Sequence, residues 1–152
     1  MRAYVGLDVH SKRSVYVVVD GRGRERGRGE VPTGREGFEE LRRRYGLSGG
    51  TVVALESGTV AFFAARQLKA AGFEPRVVDA YEVRRKAHRP RQKDDQRDAA
   101  ELCHGVRTGQ YRSIVHVPGE RILLMRETLS RRRHFVRLRT SQVLAVKRLL
   151  RS

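Results

Sequence analysis

The sequence predicts an α/β protein: a mixed sheet with helices packed on it. Three observations carry that expectation. Two runs rich in Val and Tyr, residues 3–9 (AYVGLDV) and 14–20 (SVYVVVD), are separated only by a short polar join and read as an antiparallel hairpin. Residues 51–55 (TVVAL) are apolar without a break, as in a strand covered on both faces. Helical and strand patterns then alternate, which is the signature of a layered sheet-and-helix architecture.

The elements follow in order. After the hairpin comes GRGRERGRG, glycine and charge with no apolar content, which is either a loop or the lead into a solvent-facing strand near residues 26–31 closed by Pro32. Residues 34–45 place Phe38, Leu41 and Tyr45 at helical spacing, with Gly46 as the stop. Residues 59–71 read as a largely buried helix closed by Gly72, and 75–79 as a further short strand. From Tyr81 to Lys93 the chain is basic and Pro90 interrupts helix; a helix restarts over 94–106. Residues 119–151 form one long helix in which Ile122, Leu129, Val136, Val143 and Leu150 recur every seven residues, with Met125 and Val146 at the companion position and Arg132 and Arg139 between them. Such a recurrence suits either a coiled-coil seam or a helix packed on its own domain. The expected division is a domain over 1–112, then a linker and the start of a coiled-coil helix over 113–152.

Composition narrows the partners. The chain has 152 residues, enough for one real core, and a formal charge of +16. That excess points to a polyanion. No segment pairs a broad apolar face with a basic one, and none is long enough to span a bilayer, so a membrane partner is not expected. The single cysteine, Cys103, rules out an intrachain disulfide, and a reducing, cytoplasmic setting fits. His10, His88, His104, His116 and His134 show no zinc-ligand spacing with it. The glycine-rich run lacks the Lys-Ser/Thr of a phosphate loop.

The chemistry lies in the acids. Asp8 and Glu56 end apolar strands, where side chains project toward the crevice in which ligands of open α/β sheets collect. Asp95 and Asp98 are three apart at a helix start and share a face; Asp94 and Asp98, four apart, do so equally, so spacing leaves Asp94 and Asp95 open. Singly, each is ordinary, as a solvated turn residue or an acid favourable beside a helix N-terminus. Together they form an oxygen-rich set suited to a hard divalent cation. Basic runs surround them: Arg22–Arg28, Arg42–Arg44, Arg84–Lys93 and Arg131–Arg139. Arginine predominates, and its planar fork suits phosphate.

GLDVHS with Asp8, ALESG with Glu56 and KDDQRDA with Asp95 and Asp98 resemble, in order and over essentially the whole chain, the DEDD transposases of the insertion sequence 110 family, the Piv-like DNA recombinases. The resemblance implies an N-terminal RuvC-like domain of RNase H fold whose acids Asp8, Glu56, Asp95 and Asp98 are catalytic and bind Mg²⁺, with Mn²⁺ as its substitute. It selects Asp95 over Asp94, because the family pattern D-x-x-D-A falls on Asp95-Gln96-Arg97-Asp98-Ala99. It also implies RNA-guided DNA recombination for insertion-sequence transposition, with a structured guide RNA and DNA as partners, in a bacterial or archaeal cytoplasm, associated with the nucleoid. The family's C-terminal domain, which supplies a serine nucleophile, is not expected in this sequence, and Ser11, Ser57 and Ser141 match nothing in the serine motif. Whether the domain cleaves anything without it is left open. Nucleic acid is expected on Arg84, Arg85, Lys86, Arg89, Arg91, Lys93 and Arg97, and on Arg131, Arg132 and Arg133 of the long helix, through which the chain is expected to form a homo-oligomer. Two other functions are compatible with these residues: a structured-RNA-binding and dimerising module without chemistry, and a stand-alone RuvC-like junction nuclease.

Overall fold

The computed structural model describes residues 2–86 and 94–151. It divides into two compact units, 1–117 and 118–152. The first contains the strands β1 (Ala3–Val9), β2 (Arg13–Asp20) and β3 (Glu25–Pro32), helix α1 (Arg35–Arg44), β4 (Val52–Glu56), α2 (Ala61–Ala70), β5 (Glu74–Val78), α3 (Ala80–Lys86) and α4 (Asp95–Arg107). The strands form one sheet in the order β3-β2-β1-β4-β5. β1 pairs antiparallel with β2 and parallel with β4, β2 pairs antiparallel with β3, and β4 pairs parallel with β5. The predicted mixed sheet is what forms.

Period-two alternation assigns each side chain to a layer. On one face, Val5, Leu7, Tyr16, Val18, Val53 and Leu55 meet Phe38 and Leu41 of α1 and Ala64, Ala65 and Leu68 of α2. On the other, Tyr4, Val15, Val17, Val19, Val52 and Ala54 meet Ala99, Leu102, Cys103 and Val106 of α4. The uninterrupted apolar character of 51–55 follows from this double cover. Cys103 is a core residue whose thiol burial pushes up to about 12, so it stays protonated. Helix α1 carries Glu36 in its first turn and Arg42, Arg43 and Arg44 in its last, matching the helix dipole. Gly46, at φ 56°, ends it.

The glycine-rich stretch resolves as a strand. Its alternate glycines receive aromatic rings: a Cβ on Gly27 would lie 2.4 Å from the Tyr45 hydroxyl, and one on Gly29 would lie 2.9 Å from that of Tyr16. Arg44 Nη1 donates to the Tyr16 hydroxyl at 2.9 Å, and the two rings meet edge to face. Charge at a sheet edge also discourages pairing with another chain.

Two features differ from expectation. The basic stretch after β5 begins with a helix, α3, capped by Asp79, whose Oδ1 accepts from the backbone N–H groups of Tyr81 and Glu82. The first unit also extends to Val117 rather than residue 112. Val115 N–H donates to the Val77 carbonyl at 2.7 Å and Asp79 N–H to the Ser113 carbonyl at 3.0 Å, so residues 113–115 lie along the outer edge of β5. Val115 and Val117 pack on the core.

The second unit is helix α5 (Glu120–Leu149), which buries none of its side chains. Its seven-residue apolar recurrence and the Arg131–Arg133 cluster are all on exposed helix surface. No helix among the described residues is long and apolar enough to cross a membrane.

Candidate metal centre

Strand parity and register assemble the acids. On β1 the even residues face α4, so Asp8 points there with Tyr4, and His10, just past the strand, continues the series. On β4 the even residues Val52 and Ala54 face the same layer, and Glu56 follows them. β1 and β4 run parallel with Leu7 opposite Leu55, which places Asp8 and Glu56 at neighbouring carboxyl ends of adjacent strands. Helix α4 then delivers its N-terminus to this point.

The local roles of the two adjacent aspartates separate. Asp94 is the N-cap of α4, and its Oδ1 accepts from Gln96 N–H at 3.0 Å. Asp95, the first helical residue, places Oδ2 3.1 Å from His10 Nε2, and the same nitrogen lies 3.2 Å from Asp8 Oδ2. Ligand atoms of Asp8, His10 and Asp95 all fall within 4.8 Å of one another. The sequence reading gave His10 no role. The signal was present as Asp8-Val9-His10, since residues two apart in an extended strand share a face.

Glu56 and Asp98 stand beside this triple. Burial raises the Glu56 carboxyl above its ordinary range; Arg84 pulls it back, and the negative charges of Asp8, Asp98 and Asp79 raise it further. Arg84 Nη2 is 3.8 Å from Glu56 Oε1. Among the described residues, Arg84 brings positive charge to Glu56, and the His10 ring nitrogen sits between Asp8 and Asp95.

Helix α3 supports Arg84 through Glu82, which is buried. The Glu82 carboxylate accepts from Lys86 Nζ, from Arg112 N–H at 3.1 Å and from Ser113 N–H at 2.8 Å. Those bonds, that from Lys86 foremost, lower its pKa to about 2. Lys86 donates as well to the Gln110 carbonyl, so its ammonium ties α3 to the segment after α4.

The predicted basic contacts thus fall in different places. Arg84 and Arg85 are exposed on α3, and Lys86 is engaged as just described. Arg97 lies on α4, 3.8 Å from Glu101. Arg131, Arg132 and Arg133 are exposed on α5, in the other unit. Arg89, Arg91 and Lys93, with His88, lie outside the described residues.

The donor set fits a divalent cation. Carboxylate oxygens suit Mg²⁺ and Mn²⁺, and the imidazole of His10 favours the softer of the two. A cation there would also offset the mutual repulsion that raises Glu56.

Residues 5–152 match the profile of the DEDD transposases of the insertion sequence 110 family, described as a transposase. No curated protein matches the chain. Among solved structures, the RuvC structure of Thermus thermophilus aligns over 74% of this chain and 99% of its own, with a TM-score of 0.50 and 14% identity. T. thermophilus RuvC in complex with a Holliday junction substrate aligns over 76% and 100%, with a TM-score of 0.48 and 11% identity. The mixed five-stranded sheet is a RuvC-like, RNase H-type fold, and with the profile match spanning nearly its whole length the chain belongs to the DEDD transposase family of insertion sequence 110.

Proposed function

We propose that this chain is the metal- and nucleic-acid-binding domain of a transposase that carries out RNA-guided DNA recombination, with Asp8, Glu56, Asp95 and Asp98 holding Mg²⁺ or Mn²⁺. One observation supports this above the others: two strand ends and a helix N-terminus bring acids from three distant stretches of sequence to one point, with ligand atoms of Asp8, His10 and Asp95 within 4.8 Å. Bound there, divalent ions would polarise a phosphate and activate the attacking oxygen.

The chain's own residues prepare the site for that. Asp8 and Asp95 set the ligand spacing, the Asp94 cap fixes the start of α4, and Glu82 fixes α3 so that Arg84 stays beside Glu56. The same Arg84, exposed on its other side, is suited to receive a phosphate. The +16 charge favours a structured guide RNA and DNA as partners, inside the cell and close to the nucleoid. The seven-residue apolar recurrence on α5 suits pairing with a second copy.

The test is calorimetric titration of Mn²⁺ and Mg²⁺ into wild type and Asp8→Asn, followed by thermal melts with and without metal. Metal binding and stabilisation in wild type, weakened about tenfold or more in the variant, are expected, since even partners behind the ligands cost about 10–100-fold when removed. Absence of metal binding in wild type refutes the proposal. Structured RNA and branched DNA, assayed with Mg²⁺ in wild type and Glu56→Gln, then separate cleavage from binding alone.

A further inference from the structure

We propose that the concavity between α3, α4 and the Gln110–Tyr111 segment is a subsite for one unpaired base of a nucleic-acid strand, together with its phosphate. The inference rests on the reading above that the chain handles nucleic acid, and adds a place where a strand is held apart from the acidic cluster. The cavity measures about 280 Å³ and is lined by Lys86, Arg97, Ala100, Glu101, His104, Gln110 and Tyr111, the Glu101 carboxylate lying 3.8 Å from the Arg97 guanidinium.

Its position on α4 separates it from the metal centre. Ala99, Leu102, Cys103 and Val106 face the sheet, and Asp95 and Asp98 face the strand ends. Residues 97, 100, 101 and 104, at spacings of three and four, form the opposite stripe, which is the cavity wall.

The wall is built around a fixed aromatic ring. Tyr111 packs against Gly105, where an added Cβ would meet the ring at 2.2 Å. Its hydroxyl donates to the Glu101 carbonyl at 3.3 Å, and Lys86 Nζ sits 6.0 Å from the ring centroid. Burial pushes the phenol up to about 12, so it remains a neutral donor.

Beside this ring and the methyl group of Ala100 stand two polar side chains, the His104 imidazole and the Gln110 amide, with no partner among the described residues. A ring and an apolar floor give a base its stacking surface, an amide can meet donor and acceptor edges alike, and the Arg97 guanidinium supplies charge for a phosphate. A base inside a duplex is stacked on both faces and paired at its edge, so only a single strand or an extruded base can enter.

Ala100→Leu fills the floor without changing charge or helix propensity, and so tests the cavity rather than the overall field. Anisotropy of a labelled single-stranded DNA of mixed sequence is measured on the full chain in EDTA, with an equal-length duplex as comparison. Ala100→Leu is expected to bind the single strand about tenfold more weakly with an unchanged salt slope, the loss of about one base stack, and to bind the duplex as wild type does. Gln110→Ala, which adds no bulk, is expected to weaken the single strand in the same sense, and serves alone if Ala100→Leu does not fold. Wild type that binds no single strand, variants that bind it as wild type does, or equal losses on single strand and duplex each overturn the proposal. Because strand binding is measured in EDTA, it does not depend on metal, and loss of the metal reading leaves this outcome distinct.

Discussion

Gly6 is the position at which one methyl group should dismantle the metal centre. It lies on β1, two residues before Asp8, where α4 crosses the sheet. A Cβ built on it would stand 1.8 Å from the Ala99 carbonyl oxygen, 2.6 Å from Cys103 N and 2.8 Å from Cys103 Cβ. The first two are backbone atoms of α4, so no rotamer change relieves the clash. Real Cβ atoms essentially never approach closer than 3.0 Å, so Gly6→Ala forces at least 1.2 Å of separation between strand and helix. Overpacking of this kind costs about 1–3 kcal/mol. The same displacement carries Asp95 and Asp98 away from Asp8 by more than the roughly 0.5 Å a metal site tolerates.

The expected result is therefore double: a melting temperature lower by several degrees, and Mn²⁺ affinity reduced by more than the stability loss alone would cause. Calorimetric titration below the melting transition, with circular dichroism melts, measures both. Gly49→Ala is the control, since a Cβ there meets only Arg42 Nη2, at 3.9 Å. If Gly6→Ala melts and binds Mn²⁺ as wild type does, α4 does not sit where its close approach to β1 places it, and the site geometry falls with it.

Other outcomes follow from the same arrangement. Asp94→Ala should cost about 0.5–2 kcal/mol by removing the cap of α4 while leaving Mn²⁺ affinity nearly intact, whereas Asp95→Asn should do the reverse; equal effects on affinity would refute the division of roles. Because burial first and neighbouring carboxylates next raise the Glu56 pKa, the folded state holds that proton more tightly than the unfolded chain. Metal-free stability relative to Glu56→Gln should then fall as pH rises from about 4.5 through the raised value, and added Mn²⁺ should remove the difference at neutral pH; a flat difference in pH-dependent melts would contradict it.

Much of this was legible before any coordinate. Val-rich runs of different period, the short HSKR join and the uninterrupted TVVAL specify a covered mixed sheet, because alternation and burial leave few other ways to hide those side chains. The three acidic motifs were visible as motifs. Spacing left Asp94 and Asp95 equivalent, since both lie one turn from Asp98. Helix α3 was not legible, because its one buried side chain, Glu82, is a carboxylate held by an ammonium and two backbone N–H groups from residues some thirty positions away. The third strand was half legible: glycines accept the rings of Tyr16 and Tyr45, a contact that no local pattern announces.

What the sequence determined by itself is which side chains share a face: parity along a strand and spacing along a helix are local geometry, so Asp8 with His10, and Asp95 with Asp98, were bound to travel together. What only the tertiary structure decided is that these faces meet. The parallel register of β1 with β4 sets Asp8 beside Glu56, and the bare backbone of Gly6 lets α4 approach closely enough for His10 to bridge Asp8 and Asp95. Register and helix approach depend on contacts between residues far apart in the chain, and those exist only once the core has packed.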